Sequence, residues 1–435
     1  MHALILLMLL VVFPFPRMGF TSQPSVLPRD ASYILVGGQN GTWYRPDQEP
    51  RLYRISLPSY AVAELTPVEG QGTVWTGGWN GSQWLISGWG ANPEPAGSNP
   101  YIFMYDGRNQ IVARSLNQYA SESSWRGGDV FAVSYDGKHW LLAGLGSDTL
   151  ITPTYNPNKL QNHMALATFD GYEFTDLSGI APRQQDAILY ANAWNGTHWL
   201  IGGGYGKAGV LFTFNESEII DLTDNLHEVV RSFASIQSIA WNGNYWLIGG
   251  IGFLAKYDGY NFVDLTSELN AALSKAYVSH LTVNAMAWNG SAWMIGGGSP
   301  VAQLTTESAW AALYGTHGFV DLSPSLREAY GSKSYDPYSS ILSICDSGDS
   351  WYLGGYSRNH GLLLTYVNGG FVNLSNLVNT TMSYVTWVGA PTTPPSSVPE
   401  FHIILPILML SIALGLVILH KRCYARGAVR KASTG

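Results

Sequence analysis

The 435-residue chain is predicted to fold as an all-β, seven-bladed β-propeller of four-stranded blades, followed by one C-terminal transmembrane helix. Three observations predict the propeller. An aromatic residue followed by an aliphatic run and a glycine recurs seven times, and every recurrence after the first follows a turn dipeptide such as Asn-Gly. The spacing, roughly 45–60 residues, suits four strands per repeat. The clearest copy is SIAWNGNYWLIGGIGFLAKYDGYNFVDLTSEL, Ser238–Leu269. Here Ser238–Trp241 reads as a strand, Asn242-Gly243 as a type I′ turn with two positive φ angles, and Tyr245–Gly250 as the returning strand. Trp246, Leu247 and Ile248 are consecutive and apolar, as expected where neighbouring blades cover both faces of a strand. Phe253–Tyr257 and Asn261–Leu265 read as a second hairpin around Asp258-Gly259, with Thr266 or Ser267 available to cap a short helix.

The copies begin at Tyr33, Trp84, Trp140, Trp199, Trp246, Trp293 and Trp351. Trp199-Leu-Ile-Gly-Gly203, Trp293-Met-Ile-Gly-Gly297 and Trp351-Tyr-Leu-Gly-Gly355 are the most regular, after Asn195-Gly196, Asn289-Gly290 and Ser347-Gly348. The first copy, Tyr33-Ile-Leu-Val-Gly37, has no first strand before it. Met382–Gly389, MSYVTWVG, matches Val283–Gly290, VNAMAWNG, and is expected to supply that strand by joining Ser32–Gly38, so that the ring has no open edge.

The glycine doublet after an aliphatic strand, with Tyr257-Asp258 and Phe262 following, resembles the kelch repeat. The aromatic-Asp-Gly-x-x-Phe hairpins at Tyr257–Phe262 and Phe169–Phe174 also resemble degenerate Asp-box hairpins of sialidase-type propellers. The resemblance runs from about Tyr33 to Gly389. It implies the propeller fold, and it is compatible with binding modules and enzymes alike. The chain lacks the kelch arginine before the doublet, and no hairpin has the complete Ser-x-Asp-x-Gly-x-Thr-Trp box; Ser134–Trp140 comes nearest.

Only 12% of residues are charged. The tail after Glu400 holds Lys421, Arg422, Arg426, Arg430 and Lys431, which leaves 18 basic against 30 acidic residues elsewhere, or −12. That balance excludes a nucleic-acid partner, which would need clustered cations to neutralise phosphates. Ile403–Leu419 carries no charge, and with its flanks residues 401–420 reach spanning length; the basic tail, 421–435, is then cytoplasmic and the propeller outside. Residues 1–22, with the apolar run Leu4–Phe13, read as a signal peptide, 32–389 as the propeller, and 390–400 as a Pro/Ser/Thr stalk. The protein is therefore placed at the cell membrane as a single-pass protein. Cys345 and Cys423 fall on opposite sides of the bilayer and cannot pair. Sequons at Asn40, Asn80, Asn195, Asn215, Asn289, Asn373 and Asn379 are candidate glycosylation sites.

Gly204–Gly209 matches G-x-G-x-x-G, yet the following VLFTF, Val210–Phe214, is strand rather than the helix a nucleotide site requires. No local motif for a metal, a nucleophile or a cofactor is present, so no catalytic residue, metal ligand or cofactor is assigned. His139 and His198 each precede a second-strand tryptophan, a repeat position that reads as structural. What differs between blades is the loops. Turns between strands 1–2 and 3–4 are short and open on one face; the other face carries the long segments Gly38–Arg51, Trp89–Pro100, Gln118–Gly128, Leu145–Gln161, Gly298–Ser308 and Ser323–Ser339. Trp43, Tyr44, Arg45, Trp89, Trp125, Arg126, Tyr155 and Tyr335 in those loops are the candidate binding residues, of types that anchor protein and carbohydrate interfaces. The expected function is a cell-surface binding or scaffold module for an extracellular protein or glycan. A surface-anchored carbohydrate-active hydrolase and a structural cell-envelope subunit are the alternatives.

Overall fold

Seven antiparallel sheets, each of four strands, make up the computed structural model of the chain. It describes residues 32–391 apart from 42–47, 66–70, 92–97, 109, 116–127, 148–161, 183–186, 206–207, 231–234, 274–280, 299–307, 332–337, 359 and 379–380. Each sheet is one blade, and in six of them the four strands follow one another along the chain. Blade one is assembled from both ends. Tyr384–Gly389 is its first strand, antiparallel to Tyr33–Asn40, with Leu35 opposite Gly389 and Gln39 opposite Tyr384. The expected ring closure is thus present. Among the described residues no helix is long and apolar enough to cross a membrane; 1–22, 392–400 and 401–435 lie outside them.

Blades three to seven are each bound by aromatic contacts between strands at the short-turn end. In blade five Trp241, Trp246, Tyr257 and Phe262 stack in succession across all four strands, with ring centroids 4.4, 5.6 and 4.2 Å apart. The tryptophan used to align the repeats is the second rung, which is why it recurs. Between blades the core is aliphatic: Leu200 and Leu211 of blade four meet Ile236, Ile248 and Phe253 of blade five, all buried. Continuous apolar runs therefore fit strands covered on both faces.

The inner hairpin turns differ from the type I′ expectation. Gly243 has φ +95°, but Asn242 is not left-handed. The loop is four residues long between the paired Trp241 and Trp246. Asn242 holds it with its side chain, Oδ1 accepting from the amides of Asn244 at 3.0 Å and Tyr245 at 2.9 Å. Asp136, Asp170 and Asp258 do the same in other turns. The Asn261 and Tyr260 amides accordingly hold the Asp258 carboxyl below its ordinary range.

The helix cap is also corrected. The helix Thr266–Ala272 has Leu265 at its N-cap with no side-chain bond, so neither Thr266 nor Ser267 caps it. Thr266 instead staples the blade: its hydroxyl accepts from the Leu254 amide at 3.1 Å and donates to the Leu254 carbonyl at 3.4 Å, while Asp264 receives the Thr266 amide. The same Asp/Asn-Leu-Ser/Thr staple joins Ser178 to Leu166, Thr223 to Leu211, Ser323 to Ala311 and Ser375 to Leu363. It fixes the outer strand to the third strand and starts each crossover to the next blade.

Candidate functional site

The seven first strands surround the axis, and every one of them carries a β-bulge at the same place. The register slips at Trp75, Phe131, Tyr190, Gln237, Asn284, Leu342 and Thr386 in blades two to seven and one. A bulge adds an unpaired residue and re-aims its side chain. In blades two to seven each lies four residues before the last residue of its strand, and Thr386 lies three before Gly389, so all are in the half nearer the long-loop face. Around these residues is an axial vestibule of about 280 Å³, lined by residues that include Phe131, Tyr190, Gln237, Asn284, Leu342 and Trp387.

The glycine doublets make the bulges possible. The first glycine of each pair receives an aliphatic residue of the next blade: a Cβ on Gly202 would lie 2.7 Å from Ile236 Cγ2, and one on Gly296 2.8 Å from Ile341 Cγ2. The doublet that resembles a kelch signature is therefore an interblade packing device at its first position and a bulge device at its second.

Five bulge residues, Trp75, Phe131, Tyr190, Gln237 and Asn284, are half-buried and run consecutively around the ring. Phe131 meets Trp75 on one side and Tyr190 on the other in tilted ring contacts, whereas Gln237 and Asn284 present amides. The lining residues include no carboxylate and no cation. Sequence reasoning passed over this ring. Its signal is the aliphatic-x-small triplet that recurs in the first strands of blades two to seven, such as Val74-Trp-Thr76, Val130-Phe-Ala132 and Val283-Asn-Ala285, whose middle residue varies freely.

Of the eight loop residues expected to bind, Trp43, Tyr44, Arg45, Trp125, Arg126, Tyr155 and Tyr335 lie outside the described residues. Trp89 is in a strand, not a loop: it belongs to Trp84–Ala91, opposite Thr73 and Pro100, half-buried near the long-loop end. Several expected loop boundaries shift likewise, since Gly38–Asn40 and Leu145–Ser147 continue strands and Ser323–Ala329 is a helix. Among the described residues the most exposed aromatics are Tyr172 and Tyr260, 83% and 91% accessible, at short-turn tips. Aromatic exposure thus does not single out the long-loop face, and the axial cavity runs from the bulges along the middle of the first strands.

Asn80, Asn195, Asn215 and Asn289 all sit in short turns, and the hydroxyl of each sequon donates to the asparagine Oδ1 at 2.9–3.1 Å. Asn373 belongs to the Ser375 staple, Asn40 ends the strand Tyr33–Asn40, and Asn379 lies outside the described residues. Gly204–Gly209 spans the connection between strands Trp199–Tyr205 and Ala208–Asn215, a hairpin rather than a phosphate loop. His139 joins Asp136 and Glu216 in a cluster linking blades three and four, in which Lys138 takes Glu216 at 3.4 Å. Cys345 is in the first strand of blade seven, and burial pushes its thiol up, away from reactivity.

No protein-family model matches the chain, and no curated protein does. Among solved structures it is similar to the uncomplexed acylaminoacyl peptidase of Pyrococcus horikoshii, with 11% identity and a TM-score of 0.48 over 79% of this chain and 50% of that one. It is similar also to the β-propeller domain of the trilobed protease from Pyrococcus furiosus, described as having an open velcro topology, with 10% identity and a TM-score of 0.40 over 85% and 95%. The chain spans about half the length of the peptidase, and the likeness concerns the propeller fold alone.

Proposed function

We propose that the chain is a cell-surface binding module, held by its C-terminal segment as a single-pass membrane protein, whose long-loop face engages an extracellular protein or glycan. The observation that carries this reading is the polarity of the propeller. The strand ends that the long connections join and the half of each first strand that holds the bulge lie toward one face, while the other carries short turns fixed through Asn and Asp side chains. The described vestibule offers rings, amides and hydroxyls rather than paired carboxylates, which favours holding a ligand over hydrolysing one. The repeat is read as kelch-like, with an Asp-box-like hairpin as its outer strand pair. Glycans on Asn80, Asn195, Asn215 and Asn289 would coat the short-turn face and leave the long-loop face bare; the turns use Oδ1 of each asparagine, and Nδ2 is the atom that glycosylation modifies.

The test uses single cysteines labelled with a bulky maleimide, Arg358→Cys at the exposed loop-face hairpin and Gly259→Cys at a short turn. Capture of a partner from the cell envelope is expected to fail after labelling at position 358 and to persist after labelling at 259. The reverse pattern overturns the choice of face.

A further inference from the structure

The vestibule is chemically lopsided. On one side Trp75, Phe131 and Tyr190, from three successive blades, have ring centroids 5.4 and 5.3 Å apart and planes tilted by 52° and 53°. One seventh of a turn is about 51°, so the rings obey the propeller's own rotation. A chord of that length on a seven-fold circle sets each centroid about 6 Å from the axis, the reach within which a cation is attracted by the ring quadrupole.

On the other side the amides are tied back by their donor ends. Gln237 Nε2 donates to Ser235 Oγ at 2.8 Å, and Asn284 Nδ2 donates to Ser340 Oγ at 2.9 Å and to the Ile341 carbonyl at 3.2 Å. That leaves a ligand the carbonyl oxygen of each, an acceptor, and one N–H of Gln237. Thr386 spends its hydroxyl on the carbonyls of Gly37 and Val74, and Leu342 adds an apolar wall. The ring therefore offers aromatic rings and acceptors beside the hydroxyl residues Thr76, Ser238 and Ser343, with no Lys, Arg or His among the lining residues. An anion finds no cationic partner there.

We propose that the axial vestibule binds a small organic ammonium ion. Its charge rests against the rings of Phe131 and Tyr190, which Trp75 supports from behind through Phe131, and its N–H or polarised C–H groups face Gln237 Oε1 and Asn284 Oδ1. The acidic balance of the chain outside its basic tail, 18 basic against 30 acidic residues, raises the local concentration of such cations. This goes beyond the loop-face reading, because the ligand occupies the lumen; partner capture at the loops and cation binding at the axis can fail independently.

Isothermal titration of the full-length chain with choline, with its neutral carbon isostere 3,3-dimethylbutan-1-ol, with N-acetyl-lysine amide and with methyl glucoside tests the proposal. Choline or the lysine amide is expected to bind about tenfold or more tightly than the isostere and the glucoside. The tighter of the two cations tells whether a solute or a lysine side chain of a partner is the natural source, and either supports the proposal. Tyr190→Leu is expected to weaken the cation about tenfold, and Gln237→Glu, which adds a negative charge to the amide arc, to tighten it. The second variant guards against misfolding, because a gain of affinity cannot come from a damaged site. Equal binding of the isostere, preferential binding of the glucoside, no tightening by Gln237→Glu, or no heat with either cation would each overturn it.

Discussion

Gly250 faces the carbonyl oxygen of Ser235 across the inner strand pair of blade five so closely that a Cβ would take the oxygen's place. Ser235 precedes the bulged Gln237 by two residues. The same relation joins Gly88 to Thr73, Gly144 to Asp129, Gly203 to Ile188, Gly297 to Thr282, Gly355 to Ser340 and Gly38 to Tyr384. A glycine on the second strand is therefore the counterpart of the bulge on the first. Gly250→Ala is expected to force the strands apart and destabilise the domain by about 1–3 kcal/mol, the usual range for overpacking. Gly179→Ala is the control, since nothing lies within 4 Å of a Cβ there. Equal denaturation midpoints for the two variants would show that the close approach does not hold the bulge.

The hydroxyl staple gives a second expectation. Thr223 is fully buried, and its Oγ1 is 3.0 Å from the Leu211 amide and 3.2 Å from the Leu211 carbonyl. Thr223→Val keeps the shape and removes both bonds, at an expected cost of about 1–3 kcal/mol for polar groups left inside. Thr223→Ser keeps the hydroxyl and is expected to cost less than half as much. Should the two variants melt alike, packing rather than hydrogen bonding would hold the outer strand.

The repeat length, the aromatic ruler and the orphaned first copy were enough to read seven blades and the closing strand, because each reports a packing need that recurs in every blade. The axial ring escaped, since a bulge is visible only against its partner strand and its residue is free to vary from Trp75 to Asn284 to Leu342. The turn type was misread for a related reason. Asn-Gly suits a two-residue turn by propensity, but the Trp241–Trp246 pair sets a four-residue loop, and the Asn242 side chain closes it. The staple was hidden in residues read as cap formers, because Thr266 and Ser323 have their partners twelve residues back rather than in the helix.

Asp129 begins the first strand of blade three, and its Oδ1 is buried with no hydrogen-bond partner among the described residues. Burial pushes its carboxyl up to about 7. A carboxyl with a raised folded-state pKa holds its proton more tightly in the native protein than in the unfolded chain, where it titrates near 4. Its contribution to stability is full below about pH 4 and is lost as pH rises through about 7. Asp129→Asn lacks the titrating group, so the variant is expected to gain on the parent progressively between pH 4 and 8, by about 1–3 kcal/mol at the upper end. Thermal melts at pH 4, 6 and 8 measure the difference. A gap that stays constant with pH would mean that Asp129 titrates normally.

The closing strand makes the last expectation. Tyr384–Gly389 is buried at every position and binds on both sides. Within its blade it pairs with Tyr33–Asn40; toward blade two, Trp387 meets Trp84 edge to face at 5.4 Å, and Thr386 bonds the Val74 carbonyl; toward blade seven, the Val388 amide reaches Ser343 Oγ at 3.0 Å and Tyr384 meets Tyr356 at 5.0 Å. Removing it strips the inner neighbour from Tyr33–Asn40 and uncovers a strand edge that pairs with other chains. A fragment of residues 32–381 is therefore expected to melt lower than residues 32–391 and to elute as oligomers in size-exclusion chromatography, and a synthetic 382–391 peptide is expected to restore the monomer. Trp387→Ala tests the same strand without deleting it, at an expected cost of about 3–5 kcal/mol for a large buried ring. If the fragment stays monomeric with an unchanged melting temperature, blade one stands on three strands and the ring does not need both ends of the chain.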